Sequence, residues 1–556
     1  MFAHYKPGIN LETINEQGKV KLESIPFYNV TDFTPYAIIA KSTTLNALKN
    51  NIQQFQEITK QLKKNKALFS ALSNSDGKSN LVNALEALVL LLEEALLKYK
   101  TKDESINEIE PPHSLKTKGP NIDAMLFLAL ESLAEYGGFD LLESAIPGVN
   151  YLNPEHKARK MIFLEDAGMM GKRQELCSSL RIWINSLRYH DKILDIISEC
   201  DQKRIKAENL LNNQMRHTIS LVRDLEGSYR SLNLFYKNTE ESKVKNVFLI
   251  NATPEQLTDL ENNVFTDNIK QELRENYDRL DLRSNYSLLI IPGFLGSNKV
   301  VEKWAKIAFE TKVMMITDFA NLNDPIEVMD QFEEGSFTGG DNYRSNVIMT
   351  CNWLLGRNRY VELGEEEDMY LPPALALGGK LYNSQMSQVT AGKKFGGMNE
   401  VDGVRFSLKK SEISVLEKIG LVPMVQEYGK VIAFSAKTLF NGDNLGLQTY
   451  SVVRIFDYIS KVLIDFLNRR AFENFSVNSR KDLMSQIVNF LDRITGPTKL
   501  MESFIIVRFE NDPNQKDIIY FEVSVRPYFP AKTFLIKLKG QKGDDGQDWA
   551  SEYLQQ

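Results

Sequence analysis

The residues best placed for chemistry in this 556-residue chain lie in one short run, Ile291-Pro292-Gly293-Phe294-Leu295-Gly296-Ser297. An apolar strand there ends in a glycine loop before a helix, a turn whose backbone N–H groups and helix N-terminus can hold negative charge. The run lacks the glycine on both sides of Ser297 that a nucleophile elbow requires. His4, His113, His156, His190 and His217 are the only histidines. All precede this region, so a Ser-His-Asp arrangement would need a long-range meeting. There is no GxxxxGK[ST] phosphate loop, no GxGxxG after a strand, no HExxH and no CxxC pair. The acidic run Glu365-Glu366-Glu367-Asp368 reads as a solvated loop rather than a metal cage, because carboxylates this close repel without a cation. The pairs Gly339-Gly340, Gly378-Gly379 and Gly396-Gly397 read as loop punctuation. No catalytic residue, cofactor or metal ligand is expected.

The elements around that turn have the pattern of an α/β core. An apolar strand at 286–291, a helix at 299–309 and a second apolar run at 312–317 make a β-α-β unit. Its strands should be parallel, buried on both faces and joined by a right-handed crossover. A further strand is expected at 345–351, a capped helix at 411–419 ended by Gly420, and a hairpin of 421–426 with 430–435 around Glu427-Tyr428-Gly429. Two strongly periodic helices follow. The first, at 449–472, carries Val453, Phe456, Ile459, Leu463, Phe466 and Leu467 as its apolar stripe. The second spans 480–495, with Ser479 as cap and Asp482 in the box position, and stops at Gly496-Pro497.

Upstream, residues 1–36 read as extended, with strand character at 20–23 and 27–30. Helices are expected at 44–69, at 80–99 after an Asn74-Ser75-Asp76-Gly77 break, at 122–144, at 172–200 and at 202–236. A polar, proline-containing linker covers 101–121. Strand character returns at 244–250, and Thr253-Pro254-Glu255-Gln256 is a capping box with proline in the first turn.

Composition excludes several classes. The hydrophobic share is 43%, the charged share 25% and the net charge −6, so the balance is that of a globular protein with no basic field for nucleic acid. The basic cluster Lys60, Lys63, Lys64 and Lys66 reads as a solvated helix face. Cys177, Cys200 and Cys351 are too few and too widely spaced for a disulfide framework or a zinc site, which points to a reducing compartment. The most apolar helix, at 81–99, is interrupted by Glu86, Glu93 and Glu94 and is too short to span a bilayer. A cytoplasmic protein is expected.

The most telling stretch is near the C-terminus, where three segments alternate with the two-residue period of a strand. These are 502–510, 517–526 and 533–539, separated by Asn511-Asp512-Pro513-Asn514 and by Pro527 and Pro530. In the second, Ile519, Phe521, Val523 and Val525 share one face, and Tyr520, Glu522, Ser524 and Arg526 the other. In the third, Phe534, Ile536 and Leu538 are in register, while Lys537 and Lys539 blunt the border only in part. The expectation is a small antiparallel unit with an open edge, which either closes its own domain or takes a strand from another chain. Five or six ladder bonds at roughly 0.5–1.5 kcal/mol each are comparable with the roughly 4–15 kcal/mol cost of association. One such joint is weak, but an array of them holds.

With these segments in place, the order of motifs from about 221 to 539 resembles the large sheath subunit of the bacterial type VI secretion system, the TssC/VipB family. Leu225-Glu226-Gly227-Ser228-Tyr229-Arg230-Ser231-Leu232 is similar to its Leu-Glu, aromatic, Arg, Leu helix motif and leads into Asn251-Ala252-Thr253. Tyr286 to Gly293 matches an apolar-strand position. Leu416, Gly420, Leu421, Pro423 and Ala433-Phe434 are similar to a Leu-Gly-Phe-x-Pro-Leu segment and its paired strand. The helix from Arg454 to Leu467 and the run Val525-Arg526-Pro527-Tyr528-Phe529 complete the series. The first two hundred residues do not resemble the family's usual N-terminal arm.

The resemblance implies a mixed α+β fold of the α/β type, with a mixed sheet flanked by helices. It would comprise an extended arm (1–42), a mostly helical region (43–200), a sheath core (201–500), inter-subunit "handshake" strands (501–540) and a flexible tail (541–556). It implies strand pairing between subunits through Phe521, Val523, Val525, Arg526, Phe534, Ile536 and Leu538. The implied partners are a TssB-like small subunit, an Hcp-type inner tube, baseplate components and a ClpV-type unfoldase. The family's unfoldase-binding N-terminal helix has no counterpart before Tyr36. The implied role is a contractile sheath subunit in the bacterial cytoplasm, attached to a membrane-anchored baseplate. A sheath protein of another contractile injection system, or an α/β hydrolase-like enzyme using Ser297, are the alternatives.

Overall fold

The computed structural model describes residues 2–103, 170–189, 192–239, 244, 247–262, 264–278, 285–427, 429–473, 476–512, 514–515, 518–531, 534–540 and 549–555. The chain divides into two compact units, residues 1–223 with 362–364, and residues 224–361 with 365–556.

The first unit opens with a single helical turn, Phe2–Tyr5, and an antiparallel hairpin, β1 (Gly8–Ile14) and β2 (Val20–Pro26), in place of the extended arm expected for 1–42. Residues 27–30 are not a strand. Helices α1 (Pro35–Lys41), α2 (Thr43–Lys64), α3 (Lys66–Leu72), α4 (Ser75–Asp103), α5 (Met170–Arg188) and α6 (Ile193–Asn238) follow. The single helix expected over 44–69 is broken at Asn65, whose backbone is extended and whose side chain accepts from Leu68 N–H. That one residue ends α2 and caps α3. Gly77 does not break a helix but lies in the first turn of α4, because any side chain there would strike the Ala71 carbonyl oxygen at 2.5 Å. The expected division at 200–202 is also absent, and α6 runs unbroken for 46 residues. The helix and linker expected within 104–169 lie outside the described residues.

The helical core brings Ile58 and Leu62 of α2, Leu85 and Leu88 of α4, Leu180 and Trp183 of α5, and Ile196 and Cys200 of α6 into one buried cluster. The hairpin is fastened to α2 by a carboxylate. Glu23 accepts from the hydroxyls of Ser42 and Thr43, from Thr44 N–H (3.2 Å) and hydroxyl (2.9 Å), and pairs with Lys21 (3.0 Å). Burial pushes its pKa up, but the donors from Ser42, Thr43, Lys21 and Thr44 outweigh that and hold it down at about 2.

The second unit is built on a five-stranded sheet in the order β3 (Leu288–Phe294), β4 (Met314–Asp318), β5 (Val347–Cys351), β8 (Leu421–Glu427), β9 (Lys430–Ala433). The first four are parallel and β9 turns back antiparallel, which makes the sheet mixed. A small hairpin, β6 (Leu354–Arg357) with β7 (Met369–Leu371), lies outside it. The expected β-α-β unit is present, with parallel β3 and β4 joined by α8 (Asn298–Glu310), but β3 is only partly buried, and α7 (Val264–Tyr277) before it was not read from the sequence. Residues 247–250 form no strand, although one was expected at 244–250.

Period-two alternation shows why β4 has no polar side. Met315 joins the cluster of α8, α9 (Pro325–Glu334) and α11 (Lys410–Lys418). Met314 and Ile316 join the opposite cluster of α10 (Ala374–Asn383) and α12 (Tyr450–Arg469). Gly378 and Gly379 are not loop punctuation but lie inside α10. A methyl group on Gly379 would lie 2.4 Å from the Phe235 carbonyl oxygen, and one on Gly378 2.4 Å from Ile290 Cδ1. Helix α13 (Val477–Arg493) is capped by Ser476 with Ser479 in the box position, one turn earlier than expected. Asp482 instead pairs with Arg470 at 2.9 Å.

The chain ends in two separate ribbons rather than one three-stranded unit. Strand β10 (Met501–Asn511) pairs antiparallel with β11 (Ile519–Pro527), and β12 (Phe534–Gly540) pairs with β13 (Trp549–Gln555). Strand β13 falls in the segment expected to be a flexible tail.

Two outcomes follow from these packings. Glu23→Gln should lower the stability of the first unit by about 1–3 kcal/mol near neutral pH, since it leaves buried donors facing an amide. The depressed carboxyl makes its contribution fully present above pH 4.5 and lost as pH falls toward 2, so the difference from wild type should shrink over that window in urea titrations followed by Trp183 fluorescence. Gly379→Ala should cost about 1–3 kcal/mol because a backbone carbonyl must move. An unchanged melting temperature would show that α10 does not need that close approach.

Candidate functional site

Ser297 stands at the N-terminus of α8 and makes no side-chain capping bond. Its N–H donates to the Leu295 carbonyl at 2.9 Å, and Gly293 and Gly296 supply positive φ angles of 93° and 77°. All five histidines precede residue 224, so the unit that holds Ser297 contains none. The turn is tied down by Asp318 at the end of β4. One carboxylate oxygen accepts from Gly293 N–H at 2.8 Å, and the other from Ala374 N–H at 2.8 Å and the Thr350 hydroxyl. Burial pushes its pKa up to about 6 against those three bonds. An aspartate at the carboxyl ends of parallel strands is well placed for ligands. Here both oxygens are committed to joining the β3 turn, β5 and α10.

The acidic run is solvated only in part, with Glu366 and Glu367 exposed and Glu365 drawn into an ion pair. Glu365 and Glu226 flank Arg357, whose side chain is 8% exposed. Arg357 donates to Glu226 at 3.0–3.1 Å and to Glu365 at 2.6 and 2.8 Å. Glu226 also accepts from Arg230 at 2.7 Å, and Tyr360 lies under the guanidinium at 4.2 Å. Burial pulls the Arg357 pKa down, and Glu365 and Glu226 push it back above its ordinary value. Glu367 pairs with Arg405 at 3.0 Å, and Asp368 accepts from Arg359 N–H at 2.8 Å. Among the described residues no group of three His, Cys, Asp or Glu side chains is arranged to hold a metal, and no helix is long and apolar enough to cross a membrane.

What remains as a candidate site is main chain. Both irregularities of the β10–β11 ribbon are extra residues on β10, at Glu502 and Val507, whereas β11 runs without interruption. Phe504, Ile506, Phe521, Val523 and Val525 turn one face of the ribbon onto Ile455, Ile459 and Leu463 of α12 and Ile487 and Leu491 of α13. Of the residues expected to serve strand pairing, Phe521, Val523 and Val525 therefore point into their own unit. Arg526 is exposed and pairs with Glu502 across the ribbon at 3.2 Å. Phe534, Ile536 and Leu538 lie on β12 opposite Gln555, Tyr553 and Ser551, not beside β11. On the other face of the first ribbon, Ile505 is 69% and Val507 58% exposed. Sequence reasoning missed this pair, although the unbroken apolar run Phe504-Ile505-Ile506-Val507 carried the signal.

Comparison with family models assigns the class. The type VI secretion system TssC/VipB central domain matches residues 217–441, the TssC/VipB-like C-terminal domain 449–555 and the TssC/VipB-like N-terminal region 127–215. This is a sheath protein of a contractile injection system. The chain belongs to the TssC/VipB family of type VI secretion sheath large subunits. The match from 127 corrects the expectation that the first two hundred residues do not resemble the family's usual N-terminal arm, since residues 127–215 match its N-terminal region.

Similar solved structures include the anti-feeding prophage helical sheath in its contracted state, 16% identical over 56% of this chain and 81% of that one, with a TM-score of 0.42. A chain of the anti-feeding prophage baseplate is 15% identical over 57% and 80%, also at 0.42. A sheath tail protein from Desulfitobacterium hafniense is 10% identical over 53% and 60%, at 0.32. A comparison with curated proteins finds no match.

The family motif Leu225-Glu226 to Arg230 now has a physical reason, because Glu226 is the centre of the Arg357 knot. Arg357→Ala should cost about 3–5 kcal/mol by removing the buried cation that Glu226 and Glu365 share, which leaves Glu226 to Arg230 alone. Arg357→Lys should fall between, since an ammonium cannot reproduce the two-sided fork. Chemical denaturation is the check, and a loss under about 1 kcal/mol for the alanine variant would show that the two carboxylates find other partners.

Proposed function

We propose that this chain is a structural, non-catalytic subunit that pairs with a TssB-like small subunit and polymerises helically around an Hcp-type inner tube. Contraction of that polymer drives the tube and spike into a target cell. The observation that carries the reading is the TssC/VipB match over the same residues that end in β-ribbons with unpaired borders. Such borders take up strands from other chains through main-chain bonds, and head-to-tail contacts that do not close generate open helices. In this reading, Phe521, Val523 and Val525 hold the first ribbon on its helices, and Arg526 with the second ribbon, including Phe534, Ile536 and Leu538, serves subunit joining.

The polymer would assemble in the bacterial cytoplasm on baseplate components held at the membrane, with a ClpV-type unfoldase recycling the contracted form. Stiff α/β bodies on strand linkages can change pitch without coming apart. Removing residues 533–556 should leave a folded protein that still pairs with the small subunit but builds no tubes, as seen by negative-stain electron microscopy. Tubes of normal length from the truncated chain would remove the second ribbon from the joint.

A further inference from the structure

Helix α12 turns a polar stripe toward the core. Tyr450, Arg454, Asp457 and Lys461 recur at spacings of four, three and four, which at about 100° per residue puts them on one face, with Ile455, Ile459 and Leu463 on the face opposite. The apolar face carries the first ribbon through Phe504, Ile506, Phe521, Val523 and Val525. The polar face meets the core at four separate places. The Tyr450 hydroxyl accepts from Thr390 N–H, beyond α10, at 3.0 Å, and Arg454 donates to the Leu381 carbonyl near the end of α10 at 3.0 Å. Asp457 accepts from the Asn346 side-chain amide at 2.8 Å, and that amide also donates to the Val313 carbonyl at 3.1 Å, so one contact reaches the residues before both β5 and β4. Lys461 donates to the Tyr286 carbonyl, before β3, at 2.8 Å.

Holding a helix this way lowers stability. Arg454 is 7% exposed, its Nη1 has no hydrogen-bond partner, and among the described residues no carboxylate pairs with it. Burial pulls its pKa down to about 10, and only Tyr450 pushes back. The Leu381 carbonyl also accepts from the Ser384 hydroxyl at 3.3 Å, so the end of α10 is satisfied without the guanidinium. Lys461 is 9% exposed, and burial pulls its pKa down to about 8. Asp457 on its own helix, Lys312 before β4 and Tyr277 at the end of α7 are the titratable groups that face it. Apolar or neutral side chains of similar size would take no charge out of water, and such replacements are often neutral or stabilising. What the charges supply is position. An apolar stripe packs nearly as well one turn along, about 5.4 Å away, whereas the same slip would part all four polar contacts and leave buried charge unpaired.

We propose that Tyr450, Arg454, Asp457 and Lys461 are positioning residues that key α12 to a single register against the amino-terminal ends of β3, β4 and β5, so that the β10–β11 ribbon is carried as one body with the sheet. A pull on the ribbon border then reaches the sheet instead of sliding the helix. The key is a property of one chain and stands apart from the sheath reading.

The test uses the full chain with Arg454→Met, and separately with Asp457→Asn and Lys461→Met together, so that neither charge is left alone. In urea titrations at pH 7 both variants should unfold at or above the wild-type midpoint. In the folded proteins the ladder amides of β10 and β11 should exchange with solvent at least tenfold faster than in wild type, while those of β4 and β5 stay within twofold. Arg454→Lys keeps a donor for the Leu381 carbonyl and should bring ribbon exchange back to within twofold of wild type. The pair variant also carries a pH signature. A lysine held at about 8 against an ordinary 10.5 lowers stability in full below pH 8, and that cost is lost as pH rises from 8 to 10.5. Wild type should therefore gain on the pair variant across that window.

Ribbon exchange within twofold of wild type in Arg454→Met overturns the key. So does exchange that rises equally in the ribbon and in β4 and β5, or a midpoint well below wild type in both variants, since the stripe would then be ordinary support for the fold. If the pair variant alone fails to fold, Arg454→Met decides by the same exchange measurement. Tube assembly is not among these readouts, so failure of the sheath reading leaves the key standing, and failure of the key leaves that reading untouched.

Discussion

A β-strand carries main-chain donors and acceptors on two sides, and a two-stranded ribbon satisfies only the inner set. Among the described residues the second unit ends in two such ribbons, β10–β11 and β12–β13, besides the small β6–β7 hairpin and a five-stranded sheet left open at β3. Isolated two-stranded ribbons are marginal in water, so the first must lean on something rigid. It does so through Phe504, Ile506, Phe521, Val523 and Val525, which rest on α12 and α13. The inward side chains of that ribbon are used internally, while Ile505 and Val507 on its other face stay exposed.

Rigidity of the supporting body comes from polar groups that are buried and mutually satisfied. Asp318 gathers the β3 turn, β5 and the start of α10 onto one carboxylate. Arg357 does the same for Glu226 of α6 and Glu365 of the loop before β7. A buried charge of this kind adds little net stability over a well-packed apolar group, but it penalises every arrangement in which its partners separate. At these positions, which would suggest an active site to a searching eye, the carboxylate oxygens are already engaged within the chain.

The sequence made the parallel strands, the α8 crossover, the β8–β9 hairpin and the period of the terminal strands legible, since each is written in local apolar spacing and turn residues. It hid what depends on distant partners. Glu365 looks solvated beside three other acids until Arg357 arrives from β6. Gly378 and Gly379 look like a loop until Ile290 and the Phe235 carbonyl come within reach of them. Asn65 and Ser476 reset helix boundaries because a side chain that satisfies a free N–H outweighs a continuing apolar stripe. Residues 247–250 are the reverse case, in which local apolar pattern suggests a strand and the structure has none. Whether Phe521, Val523 and Val525 face inward was legible from alternation. Which strand β12 pairs with was not, because β13 lies in a stretch whose polar flank masks its period.

Open borders are hazards as well as joints, and the ribbon shows how the two are reconciled. The two extra residues at Glu502 and Val507 both fall on β10, so an incoming strand meets a broken row of bonding groups there. Strand β11 has no such interruption, and its outward positions Glu522 and Arg526 are charged rather than apolar, which slows random stacking without removing a single donor or acceptor. Pro527 and Pro530 then stop an added strand from running on. Short, charged and bounded, that border supports a handful of ladder bonds at roughly 0.5–1.5 kcal/mol each, close to the cost of bringing two chains together. A joint of that strength comes apart as a single contact and holds as one of many.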